Sequence, residues 1–343
     1  APSRLRGMAR VTLGDNFVSF DVTAAALPLS TSALAKSYPA VPLRGEYRGP
    51  LRVVGTVADL VLSTDLVGEA GRVQVDGRFD GYAPGYRAVA RGAVTGFDLR
   101  GALGRPTAPL TVLDGRFALD IAGDSVANLS GAAQLTADRS LVDSVRIFGA
   151  RAALRFGSGR VYVDSARVES AAGEVSARGA LGLSPAVSDT LRFQFNADSL
   201  GGLRRYLARG GDGPAGADSL AGTLRATGVV TGSASRFALD ASVDGAGLRL
   251  RGTTARTIRG TVALSALPDS ATGTVTLRLD ALHAGTAVFN EGELRADLLG
   301  GWQARTTAQF TAPSGVRARG LADVRRVGDT TLVRIDSLWA RTS

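Results

Sequence analysis

The sequence predicts an all-β chain with one or two short helices, built from repeated strand units. Three observations carry this prediction. Apolar and polar residues alternate at period two along most of the chain, glycine is abundant at 44 residues, and one stretch of about forty residues occurs twice.

Alternation places strands at Phe117, Leu119 and Ile121, at Val161 and Val163, and at Leu191, Phe193 and Phe195. It continues through Phe237, Leu239, Ala241 and Val243, then Leu248 and Leu250, then Val275, Leu277, Leu279 and Ala281. Polar residues such as Arg192, Gln194, Arg249, Arg278 and Asp280 fill the positions between. Successive side chains of a strand point to opposite sides of its sheet, so each strand has one apolar and one polar face. The sheet is wetted on one side.

Two segments depart from this period. Ser199 to Arg209 sets Leu200, Leu203 and Leu207 at helical spacing opposite Arg204, Arg205 and Arg209. Pro28 to Ser37 does the same with Leu27, Leu29 and Leu34. Both read as short helices lying on an apolar sheet face, ended by Pro39 and by the Gly210 to Gly216 cluster.

The duplicated stretch runs from Val18 to Val57 and again from Leu191 to Val230, without a gap, at an offset of 173 residues. Phe20 matches Phe193, Ala24 matches Ala197, Gly49 matches Gly222, Leu51 matches Leu224 and Gly55 matches Gly228. About ten of roughly forty positions agree, where this composition gives about four by chance. The repeat divides the chain into a first unit, 1–189, truncated at its start, and a second, 190–343, continuous with it. A smaller echo, Val142 to Ile147 against Val163 to Val168, points to hairpins stacked in series.

A hydrophobic content of 45% and a mean hydropathy of +0.10 exclude disorder. The net charge of +9 raises nucleic acid and anionic membranes as partners. However, Lys36 is the single lysine among 40 basic residues, and the arginines are dispersed with no basic arm, so no nucleic-acid binding is expected. Without cysteine there is neither a disulfide framework nor a thiolate metal site. No apolar run is long enough to cross a membrane as a helix, and no charged-then-apolar leader appears within these residues, so any anchor is expected outside the segment. The opening at Ala1 and the strand-like end, Leu332 to Trp339, read as those of a middle portion.

Candidate motifs for chemistry reduce to structure. Gly211 to Gly216 spells a dinucleotide fingerprint, but a helix precedes it and a strand follows, the reverse of what pyrophosphate binding needs. Asp-Ser occurs at Asp124, Asp143, Asp164, Asp198, Asp218, Asp269 and Asp336, and is expected to bond its own backbone at turns. His283 is the only histidine, so it can serve neither a metal site alone nor a serine nucleophile without an elbow motif. Trp302 and Trp339 are too few for an aromatic girdle. No catalytic, cofactor-binding or metal-binding residue is expected, and the chain reads as a non-enzyme.

The apolar face remains. Its simplest use is a closed core of two sheets packed on each other. Its other use is a groove lined for hydrocarbon, where burying an acyl chain of about fifteen carbons recovers on the order of 12 kcal/mol.

The run from Leu220 to Ser233, followed by the alternating Phe237 to Val243, resembles the repeats of bacterial AsmA-like proteins, and of the TamB group in particular. So do Val168 to Leu181 and Leu191 to Leu207. The resemblance implies an elongated, curved antiparallel sheet, folded as a taco-like groove with an apolar interior. It implies a protein of the periplasm, anchored in the inner membrane by a segment outside this chain, that carries phospholipid or another acyl lipid to the outer membrane. An outer-membrane barrel protein is the implied partner. The residues expected to line the groove are Phe193, Phe195, Leu224, Phe237 and Leu239, with Leu248, Leu250, Leu277 and Leu279. Two rival readings are a scaffold for outer-membrane protein assembly, pairing exposed strand edges with client strands, and a structural or adhesive surface repeat.

Overall fold

In a computed structural model, the described residues are 3–15, 17–31, 44–82, 85–104, 108–143, 145–203, 220–250, 252–301, 303–327 and 330–342. They form an all-β fold in which 21 strands belong to one hydrogen-bonded antiparallel sheet. By packing, the chain divides into two compact units, Ala1–Ser170 and Ala171–Ser343. The boundary near residue 190 is one of sequence similarity, and it falls at the start of a strand in the second unit.

The first unit holds β1 (Leu5–Leu13), β2 (Val18–Ser30), β3 (Glu46–Thr56), β4 (Asp59–Gly68), β5 (Gly71–Asp80) and β6 (Tyr86–Phe97). A five-residue helix, α1 (Leu99–Leu103), leads into β7 (Thr111–Gly123), β8 (Ser130–Ala137), β9 (Ser140–Val142), β10 (Val145–Gly157) and β11 (Arg160–Ser170). Each long strand pairs antiparallel with the next, and the short β9 takes over from β8 between the ends of β7 and β10. Ser158 (φ 52°) and Gly159 (φ 70°) close the β10–β11 hairpin with both φ angles positive, which matches the right-handed twist of the flanking strands.

The second unit holds β12 (Gly173–Gly182), β13 (Asp189–Ala197), β14 (Ala221–Ser233), β15 (Arg236–Leu250) and β16 (Thr253–Leu267). They are followed by β17 (Thr272–Ala284), β18 (Ala287–Gly300), β19 (Gln303–Thr311), β20 (Arg317–Val327) and β21 (Thr330–Arg341). These too form an antiparallel meander.

The duplication is a duplication of register. Phe20 faces Gly55 and Ala24 faces Leu51 across β2 and β3. Adding 173 to every number gives Phe193 facing Gly228 and Ala197 facing Leu224, which are pairs of β13 and β14. Gly49 and Gly222, another matched pair, both adopt positive φ, at 144° and 114°. The smaller echo does not survive: Val142 ends β9 before a turn, whereas Val163 and Asp164 lie inside β11.

The helical expectations are corrected in part. Strand β2 runs on through Pro28 to Ser30 before Thr31 turns helical, because Leu29 and Ser30 find partners in Tyr47 and Glu46. Leu200–Leu203 forms a 3-10 turn with Leu200 buried; the rest of both segments, and the Gly211 to Gly216 run, lie outside the described residues. Of the Asp-Ser pairs, Asp124 accepts hydrogen bonds from Ser125 Oγ and Asn128 Nδ2 at a turn. Asp164 and Asp336 instead stand within strands and pair with Arg155 and Arg334, since on a wetted face an opposite charge is the nearer partner.

Candidate functional site

Register decides which side chains share a face. In the second unit, Phe195 of β13 faces Ala226, which faces Val243, then Gly260, Leu277 and Leu294 in turn. The next row runs from Leu224 through Gly245, Ile258, Leu279 and Gly292 to Phe310. A third contains Leu191, Val230, Leu239 and Leu264, and Phe237 lies one step beyond, opposite Gly232. Thus Phe193, Phe195, Leu224, Phe237, Leu239, Leu277 and Leu279 lie on one face. These rows contain no charged residue.

The glycines in the first two rows are there for a steric reason. A Cβ on Gly245 would lie 2.7 Å from Ile258 Cγ2 and 3.2 Å from Leu224 Cδ1, and one on Gly292 would lie 2.7 Å from the Phe310 ring. The large side chains lie flat over their glycine neighbours, so the glycines are where the sheet is paved from the side.

Leu248 and Leu250 fall on the opposite sequence parity from Leu239, yet the structure brings them to the same face. Gly247 (φ 60°) and Ala281 (φ 48°) interrupt β15 and β17 at neighbouring positions, and the ladder skips Gly247 with Arg256 and Ala281 with Asn290. Beyond this line the pairs resume as Leu248 with Ala255, Ala255 with Leu282, and Leu282 with Phe289. The Phe289 ring centroid lies 5.1 Å from that of Phe310, a resident of the original face, so the apolar phase crosses the line intact. One extra residue per strand rotates the alternation by one position, as a β-bulge does.

The first unit has the same kind of face. One row runs from Leu62 through Gly77, Ala90, Leu119 and Ala133 to Leu154. Its neighbour runs through Thr64, Val75, Gly92, Phe117, Leu135 and Ala152, in which Thr64 is the only polar member. At one end of these strands the face is covered. Tyr47, Ala70 and Ala102 of α1 form a buried cluster with Leu66 and Phe97 against it. Asp98 fixes that cover by accepting hydrogen bonds from the backbone N–H of Arg100, Gly101 and Thr111 at 3.0 to 3.1 Å. Desolvation acts to raise the Asp98 pKa, but the three backbone donors outweigh it and hold the carboxyl below its usual value.

Elsewhere the faces are open. A closed two-sheet core would bury the large side chains. Instead eight of the nine expected lining residues are half-buried and Leu250 is 48% exposed. Apart from alanines, the buried apolar residues among those described are Tyr47, Leu200 and Leu282.

The opposite face carries ion pairs between neighbouring strands: Arg72 with Asp65, Arg78 with Asp59, Arg87 with Asp120 at 3.0 Å and Arg305 with Asp323 at 3.2 Å. Hydrogen bonds from Arg72 and Gln74 lower the Asp65 pKa to about 2. Exposed pairs of this kind are worth at most about 1 kcal/mol each, and their effect is to keep this face wet.

His283 is exposed, and among the described residues no group of three His, Asp or Glu is placed to hold a metal ion. No described helix is long and apolar enough to cross a membrane. Trp302 lies outside the described residues.

No protein-family model matches the chain, nor does any curated protein or solved structure.

Sequence reasoning missed Ile258, Phe289, Leu294 and Phe310 on the second unit's face. Phe289 and Leu294 differ in parity across the interruption in β18, so no single alternating pattern joins them. Ile258 and Phe310 sit among threonines and alanines, where the apolar phase is faint.

Proposed function

We propose that the chain is a segment of an AsmA or TamB-like protein of the periplasm, whose apolar face shields acyl chains during phospholipid transport between inner and outer membranes. One observation carries the reading: each unit holds an uncharged apolar face whose large side chains the protein itself leaves partly exposed. Such a face in water is costly unless something apolar covers it, and each methylene laid on it recovers about 0.8 kcal/mol. The function needs no catalytic residue, cofactor or metal, only contact and exclusion of water by side chains such as Phe193 and Leu239. Anchoring in the inner membrane and contact with an outer-membrane barrel protein belong, in this reading, to segments beyond this chain.

The test places a photo-crosslinking amino acid at Phe193 and at Leu239 in cells and analyses the adducts by mass spectrometry. Phospholipid adducts at both positions, and none at the polar-face position Arg278, are expected. Adducts to protein strands alone would replace this reading with assembly by strand pairing.

A further inference from the structure

We infer that the first unit carries a discrete seat for one unbranched hydrocarbon chain, in a recess across β7 to β11. This rests on the reading of the apolar face as a hydrocarbon surface, and it locates a particular site there. The recess has a volume of about 340 Å³, at the small end of the roughly 300 to 1,000 Å³ typical of ligand pockets.

Its floor is a substitution in the paving. Gly115, Ala137 and Ala150 face one another in sequence across β7, β8 and β10, with Val94 and Val168 at the two ends of the row. On the adjoining row Ala152 and Ala166 continue the floor, while Phe117 and Leu135 stand beside it as a wall. Where each of the second unit's rows named above carries three or more Leu, Ile or Phe side chains, five neighbouring positions here hold glycine or alanine, and a trench is left.

Its dimensions and chemistry select the occupant. The row from Val94 to Val168 crosses five strands, so the trench is about 19 Å long at a strand spacing of about 4.8 Å. It is about one side-chain row wide, roughly 7 Å along the strand. That footprint of roughly 130 Å² is far below the ~800 Å² per partner that a stable protein interface needs. The backbone groups of the floor are already paired in the β7–β8, β8–β10 and β10–β11 ladders. A peptide laid there would bring polar groups with no partner, which is costly, whereas a methylene chain brings none.

The experiment uses a diazirine-bearing palmitic acid, and separately a diazirine-bearing phosphatidylcholine in vesicles, followed by peptide mapping of the whole chain. Label concentrated in β7 to β11 is expected from at least one probe; capture from vesicles alone would name membrane lipid as the source. Ala150→Trp, whose side chain fills the trench from its floor, is expected to reduce that label at least about fivefold, while Arg278→Trp on the polar face of the second unit leaves it unchanged. Should Ala150→Trp fail to fold, Ala152→Phe fills the same trench from the adjoining row. Label in β7 to β11 that survives a folded trench-filling variant, or label spread evenly over both units, overturns the seat. Label confined to the second unit overturns the seat and leaves the proposed function standing, whereas no label in either unit from either probe removes both.

Discussion

The two units share one strand pair, in one register, and differ in what is built around it. In the first, α1 and Tyr47 cover one end of the apolar face, and a run of glycine and alanine hollows it between β7 and β11. In the second, each of the rows named above carries three or more Leu, Ile or Phe side chains, and the face bends its phase at Gly247 and Ala281 without losing its apolar side. A repeated register fixes which positions face the same way. The size of the side chain at each position then decides whether the surface is a floor, a wall or a trench.

The comparison breaks most visibly if the cover of the first unit is removed. Tyr47 is 3% exposed, and Tyr47→Ala is expected to cost about 3 to 5 kcal/mol. Hydrogen exchange should report this as opening of β3 to β6, with the strands of the second unit retaining their protection. Equal loss in both units would mean that they fold as one cooperative body.

The matched glycines give the next largest effect. A Cβ on Gly49 would collide with the carbonyl oxygen of Asp65, and one on Gly222 would lie 2.8 Å from that of Gly247. Both valine variants are expected to lose about 2 to 4 kcal/mol in denaturant titrations, with Gly49→Val the worse. Tolerance at Gly222 alone would show that the repeated conformation matters in one unit only.

Smaller effects sharpen the contrast. Asp98→Ala removes the cap of α1 and is expected to cost about 1 kcal/mol, seen as faster exchange at the Gly101 and Thr111 amides. Ala281→Gly relieves a left-handed alanine in the second unit and is expected to gain about 1 kcal/mol, raising the denaturation midpoint. The smallest effect is that of acid. Asp65 and Asp98 have folded pKa values below their unfolded ones, so their stabilisation is present above about pH 4 and is lost as pH falls through the folded values, that of Asp65 being about 2. Both lie in the first unit, so a fluorescence or exchange-monitored acid titration should loosen it first, and added salt should weaken the Asp65 contribution.

The sequence carried most of the fold and about half of the face. Phe193, Phe195, Leu239 and Leu277 were legible because each belongs to an uninterrupted alternation, and pairing brought them together. Leu248 and Leu250 were legible as apolar, but their sharing a face with Leu239 was not, because a one-residue slip reverses parity. The β2 extension over Pro28 to Ser30 was misread for a related reason. Leucines at spacing compatible with a helix are equally compatible with a strand when a partner strand, here β3, supplies the hydrogen bonds.

By itself, then, the sequence determined that this chain is a wetted-one-side β-sheet with a duplicated unit, because side-chain parity and glycine placement are local properties that one strand expresses alone. Only the tertiary structure decided that the large side chains of the apolar side stay partly exposed, where the phase slips, and where alanines of β8, β10 and β11 meet to form a trench. Those depend on which residues stand opposite one another across strands, and that opposition is set by hydrogen-bonded register between segments, which no single segment encodes.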